Sequence, residues 1–338
     1  MVSPYISVVI TAYNRKEFLK EAVDSVLQQS LDRSKFEIIV SKNFHDQELD
    51  QYLLDNNVRT IFDSVEGIGP RLKNSISFCQ GEIITFLEDD DLFHPAKLTK
   101  VSEVFGKDKL LNYYHDSYYT INENGKILNK PMLGNPIQEI YIDCSELSEK
   151  MILNIHKSSG AGHNSCISVK RANLIKFIEY LADIIISTDA FFFYTSISLP
   201  GRIFIDHVKL TYYRFHKSAG ILAQDSLRNF IQGTKNNWSL TLNDNIKLQN
   251  TITANNLLMI LSCNVAETKI QLAMLQDKRS VLLRNIINYS RCLSYRSTTK
   301  SRVLLAIGVV FFLFPKFSQK LYFSIKQREY KKVMNSYL

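Results

Sequence analysis

The chain has 338 residues, of which 45% are hydrophobic and 22% are charged, and its formal net charge is +8 at pH 7. This composition is typical of a globular protein with room for one large domain and an appendage. The excess of cations favours an anionic partner such as a nucleotide phosphate or an acidic membrane surface, and the lack of a zinc finger, an RNA-binding signature or a long basic run argues against nucleic acid. The five cysteines are scattered and form no CxxC pair, so we expect reduced thiols in a cytoplasmic protein.

The chain opens with a predicted strand, a polar turn and a helix. Residues 5–11 (YISVVIT) are apolar nearly throughout, which predicts a buried parallel strand. Apolar residues then recur at helical spacing from 18 to 27, and Asn14 is expected to cap that helix. Exposed amide groups at such a helix start favour an anion, as does Arg15.

Two further strands, at 36–40 (FEIIV) and 58–62, are each followed by a polar turn and a helical pattern. The turn at 67–71 (GIGPR) begins a helix that carries two cations, Arg71 and Lys73. Repeated strand–helix units of this kind predict an α/β protein with a mostly parallel sheet.

The most informative stretch is a short apolar strand at 83–87 (IITFL) that runs directly into the four carboxylates of residues 88–91. Pro95 then begins the next helical pattern. In open α/β sheets ligands bind at the carboxyl ends of the strands. Four adjacent carboxylates repel one another, and their hard oxygen atoms suit Mg²⁺ or Mn²⁺ better than zinc. The alternative is a solvated acidic turn.

Order is weaker after residue 105. The sequence predicts a strand at 110–120, an irregular loop over 130–150 and a flexible polar loop at 158–165. Residues 184–189 then lead into an aromatic helical run, and short strand patterns follow at 203–205 and 210–214.

Three of these segments together resemble family 2 glycosyltransferases, which have the GT-A fold. They are VVITAYNR (8–15), GEIITFLEDDDLFHPAKL (81–98) and YYRFHKSAG (212–220), and the resemblance covers about residues 5–220. It implies a twisted, mostly parallel sheet flanked by helices. It also implies inverting, metal-dependent transfer of a sugar from a nucleotide diphosphate sugar to a hydroxyl acceptor.

The resemblance also implies roles for single residues. Those expected to bind the donor are Thr11, Tyr13, Arg15, Arg71 or Lys73, Asp89 and Arg214. Asp90 is the expected metal ligand, together with Glu88 and His216, and Asp189 occupies the place of the catalytic base.

The chain departs from the family at two places. Family members usually have two Asp residues after the second strand, where this chain has Ser41, Lys42 and Asn43. Asn43 can still donate and accept a hydrogen bond at a base edge, whereas Lys42 cannot accept one. The base preference is therefore open. Glu88 also stands where Asp is commoner in the family.

From residue 224 onward the pattern is helical, so we predict a catalytic domain at 1–222 and a helical extension at 223–338. Residues 303–314 (VLLAIGVVFFLF) form an apolar run too short to span a bilayer, and basic residues follow it. This pattern predicts peripheral contact of residues 301–332 with an anionic membrane. The alternative is a buried core helix or a homodimer contact.

The predicted function is glycosyl transfer to a glycan or lipid-linked acceptor at the inner face of the cell membrane, in glycan, glycolipid or polysaccharide assembly. Two other classes are open. A nucleotidyltransferase would be expected to carry a glycine-rich basic loop near its N-terminus, which TAYNRKE lacks. A non-catalytic binding or scaffold protein on the same fold remains open because of the altered residues Lys42 and Asn43.

Overall fold

A computed structural model describes residues 5–128, 138–216, 226–276, 278–292 and 299–335. They form two compact units, one ending at Phe215 and the other beginning at His216. The first unit is α/β and the second is helical. The predicted domain boundary between residues 222 and 223 lies outside the described residues.

The strands of the first unit belong to one sheet, which has nine strands among the described residues. They are β1 (Ile6–Ala12), β2 (Phe36–Lys42), β3 (Arg59–Phe62), β4 (Ile83–Glu88), β5 (Leu92–Phe93), β6 (Leu111–Ile121), β7 (Ile140–Asp143), β8 (Ile167–Lys170) and β9 (Arg202–Arg214). The helices are α1 (Leu19–Leu27), α2 (Gln47–Asp55), α3 (Ile68–Ser77), α4 (Lys97–Lys107), α5 (Glu149–Lys157), α6 (Arg171–Leu174), α7 (Ile178–Leu181) and α8 (Thr188–Ile197).

The strand order is β3-β2-β1-β4-β8-β6-β9-β5, with β7 also paired to β9. The first four strands in this order are parallel, because helices carry the chain back to the same edge between them. The rest of the sheet is mixed: β8 is antiparallel to both of its neighbours, and β6 and β9 are parallel. The predicted α/β fold class is confirmed, and its four adjacent parallel strands all lie before residue 89.

The core lies on both faces of the parallel strands. Val8, Ile10 and Val40 are fully buried, and so are Val23 of α1 and Leu98 of α4. Strands covered by helices on both faces read as continuous apolar runs, which is why they were identifiable. Their carboxyl ends share one edge of the sheet, so the residues that follow β1, β2, β3 and β4 are brought together there.

Two local predictions are wrong. α1 begins at Leu19 with Phe18 at its N-cap and no side-chain cap, so Asn14 does not cap this helix. Of the predicted loop at 130–150, residues 130–137 lie outside the described part, and the rest includes β7 and the first residues of α5. β7 is held by pairing with β9, some sixty residues away in the sequence, as in the pair Ile140 and Ile205. Local periodicity carries no signal for such pairing.

The second unit contains α9 (Leu227–Thr251), α10 (Asn255–Met274), α11 (Arg279–Cys292), α12 (Thr299–Leu313) and α13 (Pro315–Asn335). Ile270, Leu282, Tyr289 and Phe311 are among the buried residues of its core. The segment Leu257–Met274 of α10 is long and apolar enough to cross a membrane, but 56% of it is buried inside the protein, as is usual for a core helix.

Candidate active site

Four consecutive carboxylates, at residues 88–91, occupy the carboxyl end of β4, and we call this segment the acidic turn. Glu88 is the last residue of the strand, and oxygen atoms of Glu88, Asp90 and Asp91 lie within 4.8 Å of one another. Burial raises the pKa of Glu88 to about 7, and the charge of Asp90 adds to this effect. Burial, followed by the charges of Asp90 and Glu88, also raises the pKa of Asp91 well above its usual value. Crowded, partly desolvated oxygen ligands of this kind fit a divalent cation such as Mg²⁺ or Mn²⁺.

Arg15, which follows β1, bridges two of these carboxylates. Its Nε and Nη2 donate to the two oxygens of Asp89 at 2.9 and 2.5 Å, and Nη2 lies 2.7 Å from Oδ2 of Asp90. Burial raises the pKa of Asp89, while the hydrogen bond from Arg15 opposes that rise. The predicted donor-binding arginine is therefore in direct contact with the acidic turn.

Asp91 and Arg214 hold this turn in place. Asp91 accepts hydrogen bonds from Oγ of Ser165 at 2.7 Å and from the backbone N–H of Arg214 at 2.8 Å. The guanidinium of Arg214 is buried and donates to the backbone oxygen of Asp90 at 2.7 Å. It also donates to the backbone oxygen of Glu123 and to the carboxylate of Glu21. Arg214 thus positions the acidic turn, and its contact with the donor stays a prediction.

Asp189 lies in the first turn of α8, and its Oδ1 accepts the backbone N–H of Ala190 at 2.8 Å. The amide nitrogen of Asn164 donates both to Glu88, at 3.1 Å, and to Oγ1 of Thr188, at 3.0 Å. Asn164 therefore joins the acidic turn to the residue before Asp189. The charge of Asp189 is also among the causes of the raised pKa of Glu88, so the two carboxylates are close enough to influence each other electrostatically.

The start of α3 packs closely against the segment that leads to Asp189. The backbone N–H groups of Ile68 and Gly69 donate to the oxygens of Ile185 and Ile184 at 2.8 and 3.0 Å. A Cβ atom on Gly69 would lie 2.2 Å from the backbone oxygens of Leu181 and Ile184, so only glycine fits there. This contact fixes α3 relative to the predicted base.

The two cations of α3, Arg71 and Lys73, have different surroundings in the structure. The guanidinium carbon of Arg71 lies 4.1 Å from the ring centroid of Tyr13, and Arg71 is 5% exposed. Among the residues that the structure describes, Nε of Arg71 has no hydrogen-bond partner. Lys73 instead donates to the exposed Glu179 at 2.5 Å. The geometry therefore favours Arg71 over Lys73 as the cation beside Tyr13.

The residues at the end of β2, where the sequence departs from the family pattern, contact side chains of the protein itself. Lys42 is buried, with its ammonium 2.6 Å from Oδ1 of Asp50. Asn43 and Asn14 exchange hydrogen bonds: Nδ2 of Asn43 donates to Oδ1 of Asn14 at 2.7 Å, and the backbone N–H of Asn14 donates to Oδ1 of Asn43 at 2.8 Å. Asn14 has a φ of 55°, a left-handed conformation that Asn tolerates well. Asn43 thus supports the turn that carries Tyr13 and Arg15.

Thr11, the other predicted residue at this edge, lies opposite Ser41 and Glu88 in the sheet register. His216 is buried and is the first residue of the second unit, and its contact with a metal stays a prediction. Sequence reasoning counted Asp91 among the four carboxylates but gave it no role of its own, and it missed Asn164, Ser165 and Asp63. Asp63 directly follows β3 at the same sheet edge and accepts from Asn74 at 2.9 Å, so a search for polar residues after every parallel strand would have found it.

A buried ion pair lies next to the site and contacts Ser165, one of the residues that hold the acidic turn. Lys97 and Asp116 contact each other with both side chains fully buried. Lys97 also donates to the backbone oxygen of Ser165 at 3.1 Å, and Thr211 donates to Asp116 at 2.8 Å. Burial raises the pKa of Asp116 to about 6, against the opposing charge of Lys97. The pair therefore connects α4 and β6 to Ser165, which holds Asp91.

Replacing Lys97 with Met is expected to lower the free energy of unfolding by about 3 to 5 kcal/mol, because Asp116 would remain buried without its cation. The double variant Lys97→Met/Asp116→Leu should recover most of that loss. Urea unfolding followed by far-UV circular dichroism measures both. Lys107→Met, at an exposed position of the same helix, is the control. A cost for Lys97→Met no larger than for the control would contradict the prediction.

Comparisons with known proteins find similarity to glycosyltransferases. The model of glycosyl transferase family 2 matches residues 7–165. An uncharacterised glycosyltransferase of Rickettsia conorii is 29% identical over 154 residues, which cover 44% of this chain and 25% of the relative. One of Nostoc sp. is 32% identical over 116 residues, which cover 32% of this chain and 35% of the relative. The chain thus spans only a quarter to a third of the length of these relatives.

Solved structures are similar in fold to nearly the whole chain, which is a longer part than the sequence comparisons cover. TarS residues 1–349 from S. aureus give a TM-score of 0.59 at 11% identity, with 97% of this chain and 91% of that chain covered. The same fragment has also been solved in complex with UDP-GlcNAc. The mannosyltransferase PcManGT from Pyrobaculum calidifontis, in complex with GDP-Man and Mn²⁺, gives a TM-score of 0.54 at 12% identity over 99% of this chain and 87% of that chain. These likenesses identify the GT-A fold.

Proposed function

We propose that the chain, whose residues 7–165 match the model of glycosyl transferase family 2, transfers a sugar from a nucleotide diphosphate sugar to a hydroxyl acceptor. The observation that carries the proposal is the grouping of Glu88, Asp90 and Asp91 at one sheet edge, in contact with Arg15 and within electrostatic reach of Asp189. The match to the family model disfavours the nucleotidyltransferase alternative.

The nucleotide is proposed to bind beside Tyr13 and Arg71. The ring and the guanidinium already stack, and the unpaired Nε of Arg71 offers a hydrogen-bond donor to an oxygen of the ligand. The side-chain amide of Asn43 already forms hydrogen bonds with Asn14. Its nitrogen and its oxygen can each form one more hydrogen bond, here with the edge of a base. The solved relatives in complex with UDP-GlcNAc and with GDP-Man support a nucleotide sugar as the class of donor.

A divalent cation, Mg²⁺ or Mn²⁺, is proposed to bind Asp90 and Glu88, with Asp91 adjacent and His216 as the further predicted ligand. The donor set is made of hard oxygen atoms, which fits either ion, and PcManGT was solved with Mn²⁺. When bound, such an ion supplies positive charge to the departing diphosphate.

In the proposed reaction Asp189 takes the proton of the acceptor hydroxyl. The acceptor oxygen forms a bond to the anomeric carbon from the face opposite the diphosphate, and the bond from that carbon to the diphosphate oxygen breaks. The configuration at the anomeric carbon is therefore inverted, and no covalent enzyme intermediate is needed. Arg15 and Arg71 lie on the donor side and add positive charge near the leaving group.

The finer parts of the proposal concern the acceptor and the location. We propose a glycan or a lipid-linked hydroxyl as acceptor, and a cytoplasmic enzyme working at the inner face of the cell membrane in glycan, glycolipid or polysaccharide assembly. The basic and apolar character of residues 301–332 supports this location. The alternative for the same segment is a homodimer contact.

A thermal-shift screen tests the donor. The protein is incubated with UDP, GDP and dTDP sugars, with and without MnCl₂, and at least one donor is expected to raise Tm only when Mn²⁺ is present. Arg71→Ala should weaken binding of that donor by roughly 10- to 100-fold, the size expected for hydrogen bonds to a charged partner. Lys73→Ala is the matched control and should change the affinity less than about twofold, because this side chain pairs with Glu179 at the surface.

Two results would contradict the proposal. If none of a complete set of nucleotide sugars raises Tm with Mn²⁺, the chain does not bind this class of donor. If a donor binds but no sugar is released or transferred in a turnover assay, the non-catalytic binding alternative is correct.

A further inference from the structure

The last two helices of the second unit carry nearly all of the net charge of the chain. Residues 299–335 contain a single acidic residue, Glu329, and their formal net charge is +7, compared with +8 for the whole protein. The basic residues are Lys300, Arg302, Lys316, Lys320, Lys326, Arg328, Lys331 and Lys332. A segment with such an excess of cations over carboxylates attracts an anionic partner to that part of the molecule.

The same two helices expose large apolar side chains. Those at least 41% exposed are Val303, Ile307, Val309, Val310, Leu313, Phe314, Phe317, Leu321 and Ile325. Four of them, Leu313, Phe314, Phe317 and Leu321, lie where α12 meets α13, and we call them the apolar corner. Phe314 is 60% exposed and Phe317 is 66% exposed, values unusual for phenylalanine.

The chain turns sharply at this corner. Oγ of Ser318 donates to the backbone oxygen of Val310 at 3.3 Å, whereas eight residues of continuous helix would separate such positions by about 12 Å. Pro315, at the first position of α13, lacks the N–H that a continuing helix would need. Phe314 and Phe317 lie at this turn and are exposed, and the exposed Lys316 and Lys320 are their near neighbours in the sequence.

The inner faces of the two helices are already occupied. The rings of Phe311 and Tyr322 lie 6.2 Å apart, and Leu304 and Phe311 are buried in the core of the second unit. A Cβ atom on Gly308 would lie 3.1 Å from Cδ1 of Ile270, so α12 packs tightly on α10. The apolar corner is therefore a second, outward-facing surface of α12 and α13.

We propose that the apolar corner and its flanking lysines form a docking surface for an anionic lipid membrane. The phenylalanine rings would enter the acyl boundary, and Lys316 and Lys320 would contact lipid phosphates at the headgroup level. A second copy of the chain is the less favourable occupant. In a two-fold symmetric contact the same patch meets itself, which would bring the cations of both copies together. This inference rests on the proposed membrane location and deepens it by naming the surface that docks, but it requires no step of the proposed transfer reaction.

Vesicle flotation with the full-length protein tests the proposal. The protein is expected to float with phosphatidylcholine vesicles that contain phosphatidylglycerol, and to float poorly with phosphatidylcholine alone. Binding should weaken as salt is added, because salt screens the lysine contacts. The double variant Phe314→Ser/Phe317→Ser should lower the partition coefficient roughly 100-fold or more, from the loss of two buried rings. Lys316→Glu/Lys320→Glu should lower it by about 25-fold or more.

The control is Arg284→Glu/Ile287→Ser on α11. Ile287 is 50% exposed and Arg284 is exposed, so this pair removes a comparable cation and apolar side chain away from the corner. Far-UV circular dichroism and light scattering establish that each variant is folded and give its mass. The proposal is wrong if the wild-type protein stays at the bottom of the gradient at low salt, or if the control loses binding as much as the corner variants. It is also wrong if the corner variants only convert a dimer into a monomer. No nucleotide sugar is present, so these outcomes do not depend on the proposed transfer reaction.

Discussion

Replacing Asp189 with Asn is expected to lower the rate of sugar transfer by about 100- to 10,000-fold, the range that loss of a general base produces. The amide has the shape of the carboxylate, and its oxygen can still accept the N–H of Ala190, so the start of α8 should keep its structure. The amide cannot take a proton from the acceptor. The dissociation constant of the donor should therefore stay within about threefold of the wild-type value, because only the chemical step is affected.

Release of nucleoside diphosphate measures the rate, and titration calorimetry measures donor binding. Asp183→Asn is the comparison, since Asp183 is the nearest preceding carboxylate in the chain and lies just before the segment that leads to α8. Near-normal turnover in the Asp189 variant, together with a large loss in the Asp183 variant, would transfer the role of base to Asp183. Equal losses of donor affinity and rate in the Asp189 variant would instead indicate a binding role.

Replacing Asp90 with Ala is expected to weaken manganese-dependent donor binding by at least about 100-fold, because one of the crowded oxygen ligands is removed. The fold should survive for two reasons. Arg214 contacts the backbone oxygen of Asp90, which alanine keeps. Arg15 also retains both of its hydrogen bonds to Asp89. Removing one negative charge from between Glu88 and Asp91 relieves repulsion, so Tm without metal should be unchanged or higher.

Manganese affinity can be followed directly by electron paramagnetic resonance, and Tm by thermal unfolding without metal. Glu103→Ala, at an exposed carboxylate of α4, is the control and should leave both values unchanged. Wild-type manganese affinity in the Asp90 variant would show that the carboxylates at this turn do not hold the ion. A large fall in Tm without metal would show instead that Asp90 is mainly structural.

The sequence by itself determined the parallel half of the fold and the place of the site. Strands covered on both faces are continuous apolar runs, and helices repeat their apolar residues every three to four positions, so both are visible in short windows. Parallel strands also end at one edge, which is why the turn after β1 and the carboxylates after β4 were expected to meet. Contact between Arg15, Asp89 and Asp90 agrees with that expectation.

Only the tertiary structure decided which side chains share the site and which support it. The choice between Arg71 and Lys73 depends on the rotation of α3 about its axis, which is set by the close approach of Gly69 to the backbone at Leu181 and Ile184. Asn164 and Ser165 donate hydrogen bonds to the acidic turn although they lie more than seventy residues from it in the sequence. Arg214, which is farther still in the sequence, donates its backbone N–H to Asp91. Contacts of this kind arise from packing between distant segments, and hydrophobic periodicity within one segment contains no information about the partner.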